Sequence, residues 1–187
     1  MKSPGPADPP ENLPVPIDDG ACDHLIGTRL PEVELQATIG TPVVFGSNLS
    51  PWNVVYIYPR TGVPGVDMPE GWDAIPGARG CTPQSCSYRD NYEPLQQLAS
   101  VLGLSTQAHE AQFEFAEREH IPFPLLSDPD RKVGNALRLP TFEVDGTTLY
   151  KRVTLIVHQS VIEHVRYPVF PPDQDANEVL QWLRNKA

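Results

Sequence analysis

The stretch Asn53-Val54-Val55-Tyr56-Ile57-Tyr58 decides the fold. After Asn53 it is β-branched or aromatic throughout, with no polar alternation. That pattern marks a strand covered on both faces, at the centre of a sheet under helices. Pro59 ends it, because proline fixes φ and removes a backbone donor. Upstream, Leu30 to Leu35 alternates apolar and polar residues like a half-buried strand, and Thr41 to Phe45 reads as a second short strand. Downstream runs a long loop, Arg60 to Gly80, with Gly62, Gly65, Gly71 and Gly77 inside it and Pro64, Pro69 and Pro76 between them. Loops of that length in compact domains are usually functional or disordered.

A helix is expected next, capped by Thr82, with Pro83 in its first turn. Tyr88, Tyr92, Leu95 and Leu98 fall on one helical face. Val101 to Ser105 reads as a strand. Ala108 to His120 reads as a helix with Phe113, Ala116 and His120 on one side, stopped by Pro122. Phe123 to Leu126 is a further strand and Pro129 to Leu137 a short helix. Asp145-Gly146 predicts a hairpin joining Phe142–Val144 to Leu149–Tyr150. Arg152 to Val157 and Val161 to Val165 predict a second hairpin, and Asp173 to Lys186 a closing amphipathic helix on Val179, Leu180 and Leu183. This order predicts an α/β fold, a central mixed sheet with helices on both faces. Such sheets hold ligands beyond the C-terminal ends of their parallel strands. Cys81 follows the most buried strand and opens a helix, which places it there.

The 187 residues suit one domain and an appendage. Of the 22 prolines, six lie between Pro4 and Pro16, so residues 1–20 are expected to form a disordered tail on a domain spanning 21–187, with an insertion at 60–80. A formal net charge of -10 argues against nucleic acid and against anionic lipid as partners. The acidic excess reads as a solvated surface. No apolar run approaches a membrane span, and Met1 to Pro16 lacks the apolar core of a secretory signal, so the expected location is cytoplasmic. Tyr56, Phe113 and Trp182 read as core or partial core.

The three cysteines are Cys22, Cys81 and Cys86, too few and odd in number for a disulfide framework. Three features favour a thiolate at Cys81: the N-terminal end of a helix, Arg79 two residues away, and Gly80, which admits close backbone approach. Cys86 is five residues on, a Cα separation of roughly 8–9 Å on an intact helix and beyond the reach of a disulfide. A Cys81–Cys86 bond therefore requires the first turns to unwind. A zinc site on Cys22, His24, Cys81 and Cys86 has unusual ligand spacing. Cys22 reads as an unpaired, incidental thiol, and Arg89 as a structural contact of the site helix. No cofactor or metal is expected.

Gly80-Cys81-Thr82-Pro83-Gln84-Ser85-Cys86-Ser87-Tyr88-Arg89-Asp90 resembles the active-site segment of peroxiredoxins of the peroxiredoxin Q or bacterioferritin comigratory type, in the alkyl hydroperoxide reductase/thiol-specific antioxidant group. Tyr56-Ile57-Tyr58-Pro59, Pro122 to Asp128 and Arg152 to Ile156 are similar to three further signatures of that family. The resemblance covers about Gly27 to Val165. It implies a thioredoxin-like fold and reduction of hydrogen peroxide and organic hydroperoxides, with thioredoxin or a glutaredoxin-like donor as reductant, in a monomer or weak homodimer. It implies that Cys81 is peroxidatic, Cys86 resolving, Pro59 a shield for the thiolate and Arg152 its cationic partner. One position departs from the pattern: Ala78 stands where the family carries a threonine. Thr61, with Thr82 second, is the candidate to supply that hydroxyl, and Met68, Trp72 and Ile75 of the insertion are candidates to roof the site. The rival function is a redox-sensing module that uses the Cys81–Cys86 disulfide as a switch. A disulfide oxidoreductase would carry Cys-x-x-Cys, which is absent.

Overall fold

The computed structural model describes residues 12–47 and 50–186. Its strands are β1 (Glu34–Ala37), β2 (Val43–Val44), β3 (Trp52–Ile57), β4 (Ser100–Ser105), β5 (Leu125–Ser127), β6 (Thr141–Val144), β7 (Thr147–Tyr150), β8 (Val153–His158) and β9 (Val161–Arg166). Its helices are α1 (Cys81–Asp90), α2 (Tyr92–Gln96), α3 (His109–Glu119), α4 (Lys132–Leu137) and α5 (Asp175–Arg184). Seven strands form one mixed sheet in the order β2-β1-β5-β4-β3-β8-β9, and β6 and β7 form a separate hairpin. β3 is parallel to β4 and antiparallel to β8, so it lies inside the sheet, as its continuous apolar run requires. Val54, Val55, Tyr56 and Ile57 are fully buried.

Alternation along β3 divides two cores. Val55 and Ile57 face one that holds Cys22, Leu25, Leu155 and α4 residues Val133 and Leu137. Val54 and Tyr56 face the other, with Cys81, Tyr88, Leu95, Phe115 and Leu180 from α1, α2, α3 and α5. Helices thus cover both faces. A third, smaller cluster joins Trp72 and Ala78 of the 60–80 loop to Val144 and Leu149 of the β6–β7 hairpin.

Several elements differ from the sequence expectation, each for a local reason. The first strand begins at Glu34, because Pro31 interrupts the run. Arg29 instead bridges to Val161, and the Leu30 N–H donates to the Ser160 carbonyl at 2.8 Å. The helix after Cys81 breaks at Asn91. Pro94 has no N–H to donate to the Asp90 carbonyl, so Tyr92 and Leu95 belong to a second, short helix. Phe113 is 46% exposed rather than core. On α3 the inward positions are Gln112, Phe115 and Ala116. Gln112 earns its place through two buried bonds, accepting from the Tyr58 hydroxyl at 2.6 Å and donating to the Leu126 carbonyl at 2.9 Å.

The acidic residues are not all solvated. Asp128 and Asp175 are both buried. Asp128 accepts from the backbone N–H groups of Lys132 and Val133 at 2.7 and 2.9 Å and from the Tyr150 hydroxyl at 2.6 Å, which caps α4. The tail expected over residues 1–20 falls partly on described residues. Residues 12–20 have a described path, and the Asp19 carboxylate accepts from Lys151 Nζ at 2.9 Å and the Tyr167 hydroxyl at 2.8 Å. Residues 1–11 lie outside the described residues.

Candidate active site

Helix α1 begins two residues earlier than Thr82 capping would place it. Gly80 is the N-cap residue, with φ 110°, and Cys81 is the first helical residue. Only glycine suits that position. The left-handed φ disfavours a side chain, and a Cβ there would lie 2.4 Å from Pro172 Cγ. The turn before α5 therefore presses directly on the start of α1, and Gly80 makes the approach possible.

Cys81 is 3% exposed. Arg152, from the residue before β8, donates from Nη2 to Cys81 Sγ at 3.3 Å. The same nitrogen lies 3.3 Å from each of the carbonyl oxygens of Gly77, Ala78 and Arg79, so the loop before α1 wraps the guanidinium. Nη1 donates to Gln84 Oε1. Gln84 sits one turn along α1 and donates from Nε2 to Asp175 Oδ2 at 2.8 Å. Asp175 is the hub behind the site. It also accepts from the Tyr88 hydroxyl at 2.8 Å, the Thr154 hydroxyl at 2.7 Å and Arg166 Nε at 2.8 Å. Burial and the neighbouring carboxylate push the Tyr88 hydroxyl well above its usual pKa, so it serves as a fixed donor. This chain of bonds ties α1, β8, β9 and α5 together and fixes the cation at the sulfur.

A cavity of about 40 Å³ adjoins Cys81. Arg60, Gly62, Met68, Trp72, Thr82 and Pro83 line it together with Arg79. That volume has room for a few water molecules, a fit for a compact peroxide. The 60–80 loop supplies its roof through Met68 and Trp72, whereas Ile75 packs in the third core cluster. Arg79, expected to act on Cys81, instead pairs with Asp73.

Cys86 shares the continuous α1 with Cys81, and all three thiols are free. Cys86 is partly exposed. Its Sγ lies 3.7 Å from Glu119 Oε2, and burial pushes its thiol pKa up against the opposing influence of Arg89. Arg89 itself donates to the Glu119 carbonyl at 2.7 Å, docking α1 on the end of α3. Cys22 belongs to the core on the opposite face of the sheet from Cys81. His24 Nε2 is bonded to the Leu137 carbonyl at 2.9 Å, so the four residues weighed as a zinc site are not brought together.

Two of the expected site residues stand back from the cavity. Pro59 is buried, and its carbonyl accepts from the Ser105 hydroxyl at 2.9 Å. Thr61 is 4% exposed, but its hydroxyl and its N–H both donate to Gln107 Oε1, at 3.2 and 2.8 Å. Thr82 is the threonine that lines the cavity. Gln84, Asp175 and Thr154 are site residues that the sequence alone does not mark, and it offers Arg60 only as a substitute for Arg152. Arg60 alone had a signal, its position directly after Pro59.

Residues 74–165 match the AhpC/TSA family. In this the chain is similar to the peroxiredoxins, the thiol-dependent peroxidases of that family. "Peroxiredoxin Q, chloroplastic" of Sedum lineare is 29% identical over 85% of this chain and 77% of its own length. "Peroxiredoxin Bcp" of Bacillus subtilis is 30% identical over 59% of this chain and 62% of its own. The chain spans little more than half the length of other plant relatives, such as the Triticum aestivum peroxiredoxin Q at 54%. Among solved structures, peroxidoxin BcpB of Mycobacterium tuberculosis is 26% identical with a TM-score of 0.68, covering 87% of this chain and 97% of that one. A Xanthomonas campestris peroxiredoxin Q, 19% identical, shares the fold with a TM-score of 0.64 over 94% and 99% of the two chains. The thioredoxin-like peroxiredoxin fold expected from the sequence is thus the fold of this chain. No helix among the described residues is long and apolar enough to cross a membrane.

Proposed function

We propose that this chain reduces compact hydroperoxides through Cys81, resolves the product through Cys86, and is reset by thioredoxin or a glutaredoxin-like dithiol. The observation that carries this reading is the Arg152 Nη2 donor 3.3 Å from Cys81 Sγ, beside a cavity of about 40 Å³. A cation held there stabilises charge on the sulfur and on the oxygen that departs from it. The Cys81 thiolate attacks one peroxide oxygen, the O–O bond breaks, and the bonding pair leaves with the alkoxide or hydroxide, which takes a proton from water. The sulfur ends as a sulfenic acid.

Cys86 completes the turnover. Its sulfur attacks the Cys81 sulfenic sulfur, water leaves, and a disulfide forms. On α1 the two Cα atoms are separated by roughly 8–9 Å, so the first turns must unwind first. A helix end opens at a small fraction of the cost of global unfolding. An external dithiol then reduces the disulfide by exchange. Of the two threonines, Thr82 is the better placed to contact the peroxide, since Thr61 is held by Gln107.

Peroxide consumption with a thioredoxin system tests the proposal. The native chain is expected to turn over steadily and Cys81→Ser to show none. A native chain that oxidises once and stops would favour the sensor reading instead.

A further inference from the structure

The cavity beside Cys81 contains a cation that the cycle above leaves unused. Arg60 lines it, next to Gly62, Thr82 and Pro83. Its Nε is shielded from solvent without a hydrogen-bond partner, and among the described residues no carboxylate pairs with its guanidinium. The other two arginines around Cys81 have partners, Arg79 in Asp73 and Arg152 in Cys81 and Gln84 through its Nη atoms, while Arg152 Nε is unpartnered like that of Arg60. A shielded charged donor without a partner is uncommon in a folded protein and marks a place where an absent group supplies the acceptor. Beside the polar Arg79 and Thr82, the wall near Arg60 carries the apolar side chains of Val66, Met68, Trp72 and Pro83.

We propose that Arg60 makes this site selective for small peroxycarboxylic acids, peroxides whose leaving group is a carboxylate. The inference rests on the reading of Cys81 as the peroxidatic residue. A guanidinium presents its N–H donors as a planar fork that matches the two oxygens of a carboxylate. Hydrogen peroxide and alkyl hydroperoxides release a single charged oxygen, for which Arg152 already provides a donor. A peroxyacid releases two equivalent oxygens, and the second cation is the group that matches them. The Cys81 thiolate attacks the terminal oxygen of R–C(=O)–O–OH. The S–O bond forms, the O–O bond breaks, and its electron pair leaves on the carboxylate. The terminal oxygen keeps its hydrogen, so the products are the Cys81 sulfenic acid and RCOO⁻, with no external proton consumed. Sulfur is oxidised and the peroxide reduced. The apolar roof takes the short acyl chain.

The test measures second-order rates of Cys81 oxidation by peracetic acid and by hydrogen peroxide, in the native chain, Arg60→Gln and Arg60→Lys. The peracetic-to-hydrogen-peroxide rate ratio is expected to fall by ~10-fold or more in Arg60→Gln, the scale of losing hydrogen bonds to a charged group. Arg60→Lys keeps the charge without the fork and is expected to recover part of the ratio. If Arg60→Gln does not fold, Arg60→Lys still decides, since a ratio equal to the native one overturns the proposal. An unchanged ratio in both variants also overturns it. Loss of the parent reading looks different: the native chain would then consume hydrogen peroxide no faster than Cys81→Ser.

Discussion

Cys81 and Cys22 are buried almost equally, at 3% and 4% exposure, on opposite faces of one sheet. Their surroundings differ in sign. Cys81 has the Arg152 guanidinium at 3.3 Å and a cavity beside it. Cys22 has Asp18, Asp19 and Asp23 nearby, and burial together with these carboxylates pushes its thiol up to about 12. Burial alone therefore makes an inert thiol, a small apolar group with a weakly acidic proton. A buried thiol becomes a reactive site only where the fold spends a fixed cation on it. Here that cation is held by Gln84 and by three loop carbonyls, with Asp175 behind them.

The largest expected effect separates the two cysteines outright. Cys81→Ser removes peroxidase turnover, whereas Cys22→Ala leaves it at the native rate, measured by peroxide consumption under a reductant. Comparable losses in both variants would erase the distinction. Next is the cation. Arg152→Met is expected to slow Cys81 oxidation by roughly 10²-fold or more, the scale of losing one oriented charge stabiliser. Stopped-flow fluorescence during oxidation checks this, and a rate within a few-fold of native would return the role to another arginine.

The smallest effect concerns stability on the Cys22 side. Its thiol is raised from an ordinary value of 9.0 to about 12 in the folded chain. Above pH ~9 the unfolded chain releases this proton while the folded chain keeps it, so stability from Cys22 is intact below pH ~9 and declines until the pH passes ~12. Denaturant midpoints from pH 8 upward are expected to fall less steeply in Cys22→Ala than in the native chain. Parallel curves would show that burial and the nearby carboxylates do not raise the Cys22 thiol.

The central strand and the Cys81 helix were legible because their signals are local. An unbroken apolar run ending in proline, then glycine, cysteine and proline, can be read along the chain. The support of Arg152 was not legible, because it is a tertiary product. Gln84 is separated from Asp175 by 91 residues, and Asp175 reads as one more acidic residue at the start of a surface helix. Phe113 misled for the opposite reason. Its apolar side chain suggested an inward face, but the buried bonds of Gln112 set the rotation of α3. Thr61 stands near Pro59 in the sequence, and only the folded chain reveals that Gln107 holds its hydroxyl.

The most direct test of the account is disulfide mapping by mass spectrometry after one equivalent of peroxide. Alkylation of free thiols before digestion preserves the pairing. The account predicts a single intramolecular Cys81–Cys86 bond with Cys22 alkylated as a free thiol. A bond joining Cys22 to Cys81, or Cys81 recovered as a free thiol while Cys22 is oxidised, would contradict it.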